Sequence, residues 1–256
     1  NGKSYVHPIY LVQEYSLNDS NFSEEYDLEP LQQSSKTTRV PILMYHQIDP
    51  IPQGSPFVQG LYVTPEIFEQ QLAYLVKKNY KSITPEELYA LLKSKQNPLQ
   101  KSVMITFDDS KSSQYRNAYP LLKKYGLTGI FYVISNRTGI TYTQLREMSE
   151  NGMIMGSHTS THIDLTKETN SEKLYSEIVG SRDVLRDSFN QNISSIAYPG
   201  CVIDTKGYPF VNQAGYLIGV SCGKSIDHTL NKRLSLSRVH VSNSLENLIN
   251  LLSGIY

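Results

Sequence analysis

Seven short apolar runs, mostly separated by helix-like segments, limit most strongly how this chain can fold. Each is rich in Val, Ile, Leu, Met, Phe or Tyr and is short enough for a buried strand. The runs cover residues 40–45, 103–107, 129–134, 153–156, 195–198, 217–221 and 236–241. Strands that alternate with helices are typical of parallel β/α units. We therefore predict an α/β fold.

Helix signals stand between several of these runs. Thr64-Pro65 predicts an N-cap followed by proline at the first helical position. Thr84-Pro85-Glu86-Glu87 adds a capping box to the same signal. We predict a longer helix capped by Thr169 and Glu172, and a final amphipathic helix that Gly254 ends.

Candidate functional residues fall just after four of the predicted strands. His46 follows the first, Asp108 and Asp109 the second, His158 the fourth and Pro199 the fifth. In parallel β/α folds the functional residues lie where strands end and loops begin. Adjacent side chains at a strand end point in different directions, so one aspartate can bind a cation while the other moves a proton. Alone, the Asp-Asp pair would also suit a solvated turn.

His158 and His162 lie four residues apart, so a helical face or a tight turn can bring their rings together. Imidazole is the commonest neutral ligand of zinc-like metals, and one carboxylate would complete a three-ligand set with a position open for water. An isolated pair at this spacing is more often two surface histidines. Together with the Asp-Asp pair after another apolar strand, it predicts a metal site.

Thr106-Phe107-Asp108-Asp109 and Ser157-His158-Thr159-Ser160-Thr161-His162 resemble the first two motifs of the polysaccharide deacetylases of the NodB-homology type, carbohydrate esterase family 4. The resemblance covers roughly residues 40–252. It implies an incomplete (distorted) seven-stranded β/α barrel. It also implies that Asp109, His158 and His162 bind a divalent metal, zinc by default and nickel or cobalt as alternatives, and that Asp108 is the base.

Ala197-Tyr198-Pro199-Gly200 resembles the third motif of the family, but Ala197 occupies the usual arginine position and Gly200 the aromatic one. The backbone N–H of Gly200 can still donate to an oxyanion, because that role needs no side chain. We predict Tyr198, Pro199 and Leu236 as substrate-binding residues, since the chain has no tryptophan for the fourth motif. Arg238 is our candidate for orienting Asp108, with a surface strand arginine as the alternative.

Two histidines compete for the general acid. His46 directly follows Ile42-Leu43-Met44-Tyr45, and an early Met-Tyr-His resembles the circularly permuted branch, which includes deacetylases of exported poly-β-1,6-N-acetylglucosamine. We predict His46 as the acid. His240 superficially fits a late strand-end histidine, but it lies inside an alternating strand, so we interpret it as a core or surface residue. His7 and His228 are predicted to be solvent-exposed.

Bulk properties narrow the class of protein. Lys+Arg 24 and Asp+Glu 24 balance, so nothing supports a nucleic-acid partner. No apolar run approaches the ~20 residues of a membrane helix, and we expect any signal or membrane anchor to lie outside these 256 residues.

Residues 1–38, rich in Ser, Asn, Glu and Gln, are predicted as an arm or linker before a deacetylase domain of residues 39–256. Cys201 and Cys222 could pair or remain buried thiols.

The resemblance implies a function as well as a fold. It implies a metal-dependent hydrolase, secreted and associated with biofilm, that removes N-acetyl groups from a β-linked N-acetylglucosamine polymer outside the cytoplasm. Poly-β-1,6-N-acetylglucosamine is the first choice, and chitin oligomers, peptidoglycan or a small cyclic amide are alternatives. We expect a monomer. A non-catalytic carbohydrate-binding matrix protein would need neither a free base nor an acid, and a purely structural domain would make the strand-end residues a coincidence.

Overall fold

The computed structural model describes residues 37–137 and 139–254. Within them the strands are β1 (Thr38–Arg39), β2 (Ile42–Tyr45), β3 (Gln47–Ile48), β4 (Tyr62–Val63), β5 (Lys81–Ser82), β6 (Ser102–Phe107), β7 (Gly129–Val133), β8 (Ile154–Ser157), β9 (Ser195–Ala197), β10 (Ile218–Cys222), β11 (Asp227–His228) and β12 (Leu236–His240). The α-helices are α1 (Pro56–Gly60), α2 (Pro65–Lys77), α3 (Pro85–Ser94), α4 (Tyr119–Lys124), α5 (Tyr142–Glu150), α6 (Ser171–Tyr175), α7 (Ser181–Phe189), α8 (Tyr208–Ala214) and α9 (Leu245–Ser253). Residues 1–36 of the predicted arm lie outside the described residues, and the domain boundary at residue 39 stays a prediction.

Seven parallel strands form a closed ring in the order β2-β6-β7-β8-β9-β10-β12, and β12 pairs back with β2. An eighth parallel strand, β5, lies beside the first two residues of β6, while β2 pairs with the remaining four. The predicted α/β fold with a seven-stranded barrel is confirmed. All seven predicted apolar runs supply a strand of the ring.

Alternation along the strands separates two apolar layers. In β2, Leu43 and Tyr45 belong to the larger cluster between the ring and the outer helices, whereas Ile42 belongs to a smaller cluster. The smaller cluster takes residues from six strands around the ring, so it fills the barrel interior; its strand members are Ile42, Met104, Ile130, Tyr132, Ala197, Ile218, Val220 and Leu236. Its other members are Val40, Ile83, and Leu88 and Leu92 of α3. Successive side chains of a strand point to opposite faces. Every second residue of each strand therefore points into the barrel interior, up to the end of the strand at the barrel mouth.

The helix caps agree with the sequence at two sites and differ at a third. Thr64 and Thr84 cap α2 and α3, and Thr84 forms the predicted capping box. The prediction that Thr169 caps the longer helix is wrong, because the Asn170 side chain accepts the Lys173 N–H at 2.9 Å. This helix is also interrupted: a π-helical turn, Ser176–Gly180, separates α6 from α7.

His228 is buried, contrary to the prediction. Its backbone lies in β11, which pairs antiparallel with β1, and its Nε2 lies 3.0 Å from the Val40 carbonyl oxygen. The partner strand is 190 residues away in sequence (228 − 38), so the polar residues around His228 gave no sign of it. His7 lies outside the described residues. No helix in the described part of the chain is both long and apolar enough to cross a bilayer.

Candidate active site

A pocket of about 600 Å³ opens where the barrel strands end. His46 follows β2, Asp108 and Asp109 follow β6, and His158 follows β8. All four line the pocket, together with His162. The parallel ring therefore brings together polar residues that are up to 116 positions apart in sequence (162 − 46).

Asp109, His158 and His162 form a compact cluster. One Asp109 oxygen, Oδ1, lies 3.4 Å from His158 Nε2 and 3.3 Å from His162 Nε2. The three potential ligand atoms lie within 4.8 Å of one another. Lys111 Nζ lies 3.5 Å from the other oxygen of Asp109. Burial would raise the pKa of Asp109, but the two histidines outweigh it and hold that pKa far below its usual value.

Local structure aims the two imidazoles at Asp109. His158 Nδ1 lies 2.8 Å from the Ala197 carbonyl oxygen, which can only accept, so Nδ1 donates to it and Nε2 is the ring nitrogen directed at Asp109. The backbone of Asp109, Thr159 and His162 has φ of 73°, 63° and 64°. Non-glycine residues rarely adopt this left-handed region, and such strain tends to accumulate at functional sites.

Asp108 faces a different partner. Arg238 Nη1 and Nη2 donate to Asp108 Oδ1 and Oδ2, each at 2.7 Å. Both side chains are buried in the barrel, where Arg238 also donates to Ser221 O and lies 5.5 Å from the centre of the Tyr132 ring. Burial would raise the pKa of Asp108, but Arg238 outweighs it, so the net pKa is below the usual value. Asp108 is therefore held as a carboxylate.

His46 and His240 both reach the pocket. His46 Nε2 lies 3.9 Å from Asp108 Oδ2, and among the described residues its buried Nδ1 has no hydrogen-bond partner. Burial lowers the pKa of His46, although Asp108 and Asp109 partly oppose this. His240 is exposed, as the surface alternative predicted, but its placement inside a strand is wrong, because β12 ends at His240. The residue lines the pocket, with its ring centre 6.2 Å from that of His46.

The segment after β9 forms one wall of the pocket. Tyr198 and Gly200 line it, whereas Pro199 is buried and is not among the lining residues, so its role as a substrate contact stays a prediction. The Tyr198 hydroxyl donates to Leu234 O at 2.7 Å, which leaves the ring rather than the hydroxyl for the pocket. Gly200 has φ of 61°, a conformation that glycine adopts without strain.

Leu236 is also not a pocket residue. It is the first residue of β12, four positions before His240, and at about 3.3 Å per residue it lies deep in the barrel. There it packs in the inner apolar cluster. Its predicted role as a substrate contact stays a prediction, although its position at the start of β12 does not favour it.

Sequence reasoning missed two parts of the pocket wall. Cys201 and Cys222 form a disulfide that joins the segment after β9 to the end of β10. Phe57 of α1 lines the pocket although its side chain is 76% exposed. The length of the loop over residues 49–60 was the available signal, since long loops are often functional.

The chain is similar to known polysaccharide deacetylases. The sequence profile of the family described as polysaccharide deacetylase matches residues 95–219. YxkH of Bacillus subtilis (strain 168), which carries a polysaccharide deacetylase name, is 30% identical over 223 residues, covering 86% of this chain and 77% of that protein. Poly-beta-1,6-N-acetyl-D-glucosamine N-deacetylase of Staphylococcus aureus (strain MRSA252) is 25% identical over 221 residues, covering 79% of this chain and 76% of that protein.

A solved structure extends the likeness to three dimensions. The Streptococcus pyogenes deacetylase PplD, in complex with acetate, superimposes with a TM-score of 0.76 and is 32% identical, covering 84% of this chain and 99% of that one. Identity of this size over nearly the whole of a relative indicates common descent rather than a shared fold alone. The chain therefore belongs to the polysaccharide deacetylase family.

Proposed function

We propose that this chain is a metal-dependent hydrolase that removes N-acetyl groups from a β-linked N-acetylglucosamine polymer, with poly-β-1,6-N-acetylglucosamine as the first choice. The observation that carries the proposal is that two adjacent carboxylates have different partners. Asp109 faces His158 and His162, while Asp108 faces Arg238 and His46. A protein that only binds carbohydrate requires no such pair. The 25% identical relative named for this polymer supports the choice of substrate.

The cluster of Asp109, His158 and His162 fits a divalent metal. Two imidazole nitrogens and one carboxylate oxygen are a usual zinc ligand set, and nickel and cobalt accept the same donors. A cation held there would polarise the amide carbonyl and lower the pKa of a water molecule. The His158 hydrogen bond to Ala197 keeps one of the ligand nitrogens correctly oriented.

The remaining residues supply the proton transfers. Asp108, kept ionised by Arg238, accepts a proton from the attacking water as its oxygen bonds to the amide carbon. The Gly200 N–H donates to the oxyanion that develops on the carbonyl oxygen. His46 then gives a proton to the amide nitrogen as the C–N bond breaks, which leaves acetate and a free amine.

We also propose that the enzyme works as a secreted monomer on an N-acetylated polysaccharide outside the cytoplasm, in a biofilm. A disulfide such as Cys201–Cys222 persists in oxidising compartments. Size-exclusion chromatography with light scattering tests the monomer, and a dimer mass would contradict it.

Acetate release from defined oligosaccharides tests the function. β-1,6-linked N-acetylglucosamine oligomers, chitin oligomers and peptidoglycan fragments would be compared after treatment with chelator and after addition of Zn²⁺, Ni²⁺ or Co²⁺. We expect turnover to disappear with chelator, to return with metal, and to be greatest on the β-1,6 oligomers. Asp108→Asn is the matched inactive control. Full activity in chelator would disprove metal dependence. Faster acetate release from chitin oligomers or peptidoglycan fragments would identify that polymer as the substrate instead.

A further inference from the structure

Glu177 is a completely buried carboxylate outside the pocket. It lies in the π-helical turn Ser176–Gly180 and is 0% exposed. Its only charged contact among the described residues is Lys173, whose Nζ lies 2.9 Å from Oε1. A buried carboxylate is costly unless its oxygens are satisfied by donors, so the other donors reveal what Glu177 holds in place.

Those donors come from the loop between the two histidines of the predicted metal site. Glu177 Oε2 accepts the backbone N–H of Ser160 at 3.0 Å and of Thr161 at 2.8 Å. Oε1 accepts the Thr161 hydroxyl at 2.5 Å. The Ser160 N–H also contacts the Glu177 backbone carbonyl oxygen at 3.1 Å. Glu177 therefore binds two of the three residues that lie between His158 and His162.

This loop needs an external support. Thr159 and His162 both have left-handed backbone conformations, which are unfavourable for residues other than glycine and persist only where surrounding contacts impose them. Within the loop, the His162 N–H donates to Thr159 Oγ1 at 3.1 Å. The two N–H groups between these strained positions point to Glu177. Without them, the loop would lose the contacts that keep His162 facing Asp109.

We propose that Glu177 is a positioning residue that sets the metal affinity of the Asp109, His158 and His162 cluster by holding the loop from behind. The inference rests on the proposed function, since it assumes that this cluster binds a divalent metal. Glu177 contacts neither the pocket nor the predicted ligands, so it should act on metal binding and not on the chemical step. The π-helical turn is consistent with such a role, because these turns occur frequently at functional sites.

Glu177→Gln is the direct test, with Lys173→Met as its matched control. The first variant keeps the shape but replaces one acceptor oxygen by an NH₂ group that faces other donors. The second removes the exposed partner of the same carboxylate and leaves the loop contacts intact. Thr161→Val, which removes one contact without altering the carboxylate, decides the question if Glu177→Gln does not fold.

The readout is the Kd for Zn²⁺, measured on chelator-stripped full-length protein by competition with a chromogenic chelator, with the Tm of the metal-free protein alongside. Loss of a residue that orients metal ligands typically weakens binding 10–100-fold. We expect that loss in Glu177→Gln, a smaller one in Thr161→Val and an unchanged Kd in Lys173→Met. Saturating Zn²⁺ should restore acetate release to Glu177→Gln.

The outcomes separate this inference from the proposed function. A wild-type chain that binds no divalent metal overturns both. A wild-type chain that binds Zn²⁺, with an unchanged Kd in Glu177→Gln or, where that variant does not fold, in Thr161→Val, overturns the role of Glu177 and leaves the function standing. An equal loss of affinity in Lys173→Met would assign the effect to the charge around the turn instead of the loop contacts.

Discussion

Arg238 reaches across the barrel interior from β12 to Asp108 at the end of β6, and its two terminal nitrogens donate to the two carboxylate oxygens at 2.7 Å each. β2 lies between these strands in the ring, so no strand pairing brings the two residues together. Both side chains are buried, so removing either one would leave an uncompensated charge in the barrel at a large cost in folding free energy. The contact fixes the orientation and the charge of Asp108 at the same time.

Arg238→Met tests this pair through the pH profile. Without the guanidinium, burial is no longer opposed and the pKa of Asp108 should rise. Since we propose Asp108 as an ionised base, the acidic limb of kcat/KM should move to higher pH. Removing one partner of a buried ion pair should also destabilise the fold by about 3–5 kcal/mol, measured by chemical denaturation. Arg238→Lys, which keeps the charge but not the two-point contact, should shift the limb less. A folded Arg238→Met with an unmoved limb would contradict the assignment of Asp108 as base.

His158→Ala should remove most of the bound metal while the barrel stays folded. The variant loses one of three ligand atoms but leaves the strand pairings of β8 intact. Elemental analysis after dialysis gives the metal content and circular dichroism the fold. His240→Ala is a suitable control, since His240 lines the same pocket outside the cluster and should retain metal. Stoichiometric metal in folded His158→Ala would rule out this ligand set.

His46→Ala should lower kcat on the N-acetyl amide by about 10²–10⁴-fold with little change in metal content, as expected when a positioned acid is lost. An activated acetate ester has a better leaving group, so its hydrolysis should suffer much less. His240→Ala should affect the two substrates equally and weakly. Because both histidines reach the pocket, this comparison is needed to separate them. An amide-selective defect in His240→Ala alone would transfer the acid role to His240.

Replacing the disulfide by Cys201→Ser and Cys222→Ser should reduce both stability and turnover. The bridge closes a loop with a sequence separation of 21, for which loop-closure entropy suggests a stabilisation of about 3 kcal/mol. It also anchors the segment that carries Gly200, so kcat should fall before the protein unfolds. Thermal melts and acetate release at a temperature well below the Tm distinguish the two effects. Unchanged kcat in the double variant would limit the bridge to a stabilising role.

Much of the fold was predictable because its signals are local. The apolar runs, the Thr64 and Thr84 caps and the polar residues at strand ends each depend on residues within a few positions of one another. Parallel strands place their carboxyl ends on one face, so His46, the two aspartates and the histidine pair could be expected to meet. The family resemblance then supplied the barrel arrangement of the strands and the roles expected of these residues.

The errors have a common physical origin in contacts between distant segments. Period-two alternation shows which residues share a face, but not at which end of the strand the pocket lies, and so Leu236 was predicted to contact substrate although it lies at the end of β12 away from His240. His228 was predicted to be exposed because its neighbours are polar, whereas pairing of β11 with β1 buries it. His240 looked like a residue within a strand because the sequence does not mark where β12 ends.

The sequence by itself determined the seven strands, the order of helices between them and the residue types available where the strands end. Only the tertiary structure decided which of those residues face one another: Arg238 opposite Asp108, Cys201 bonded to Cys222, and Glu177 behind the loop of His158 and His162. The reason is that local propensity acts over a few residues, whereas closing the ring imposes distances between strands far apart in the chain. Burial then makes each unpartnered polar group costly, so the partners that closure brings within reach become part of the site.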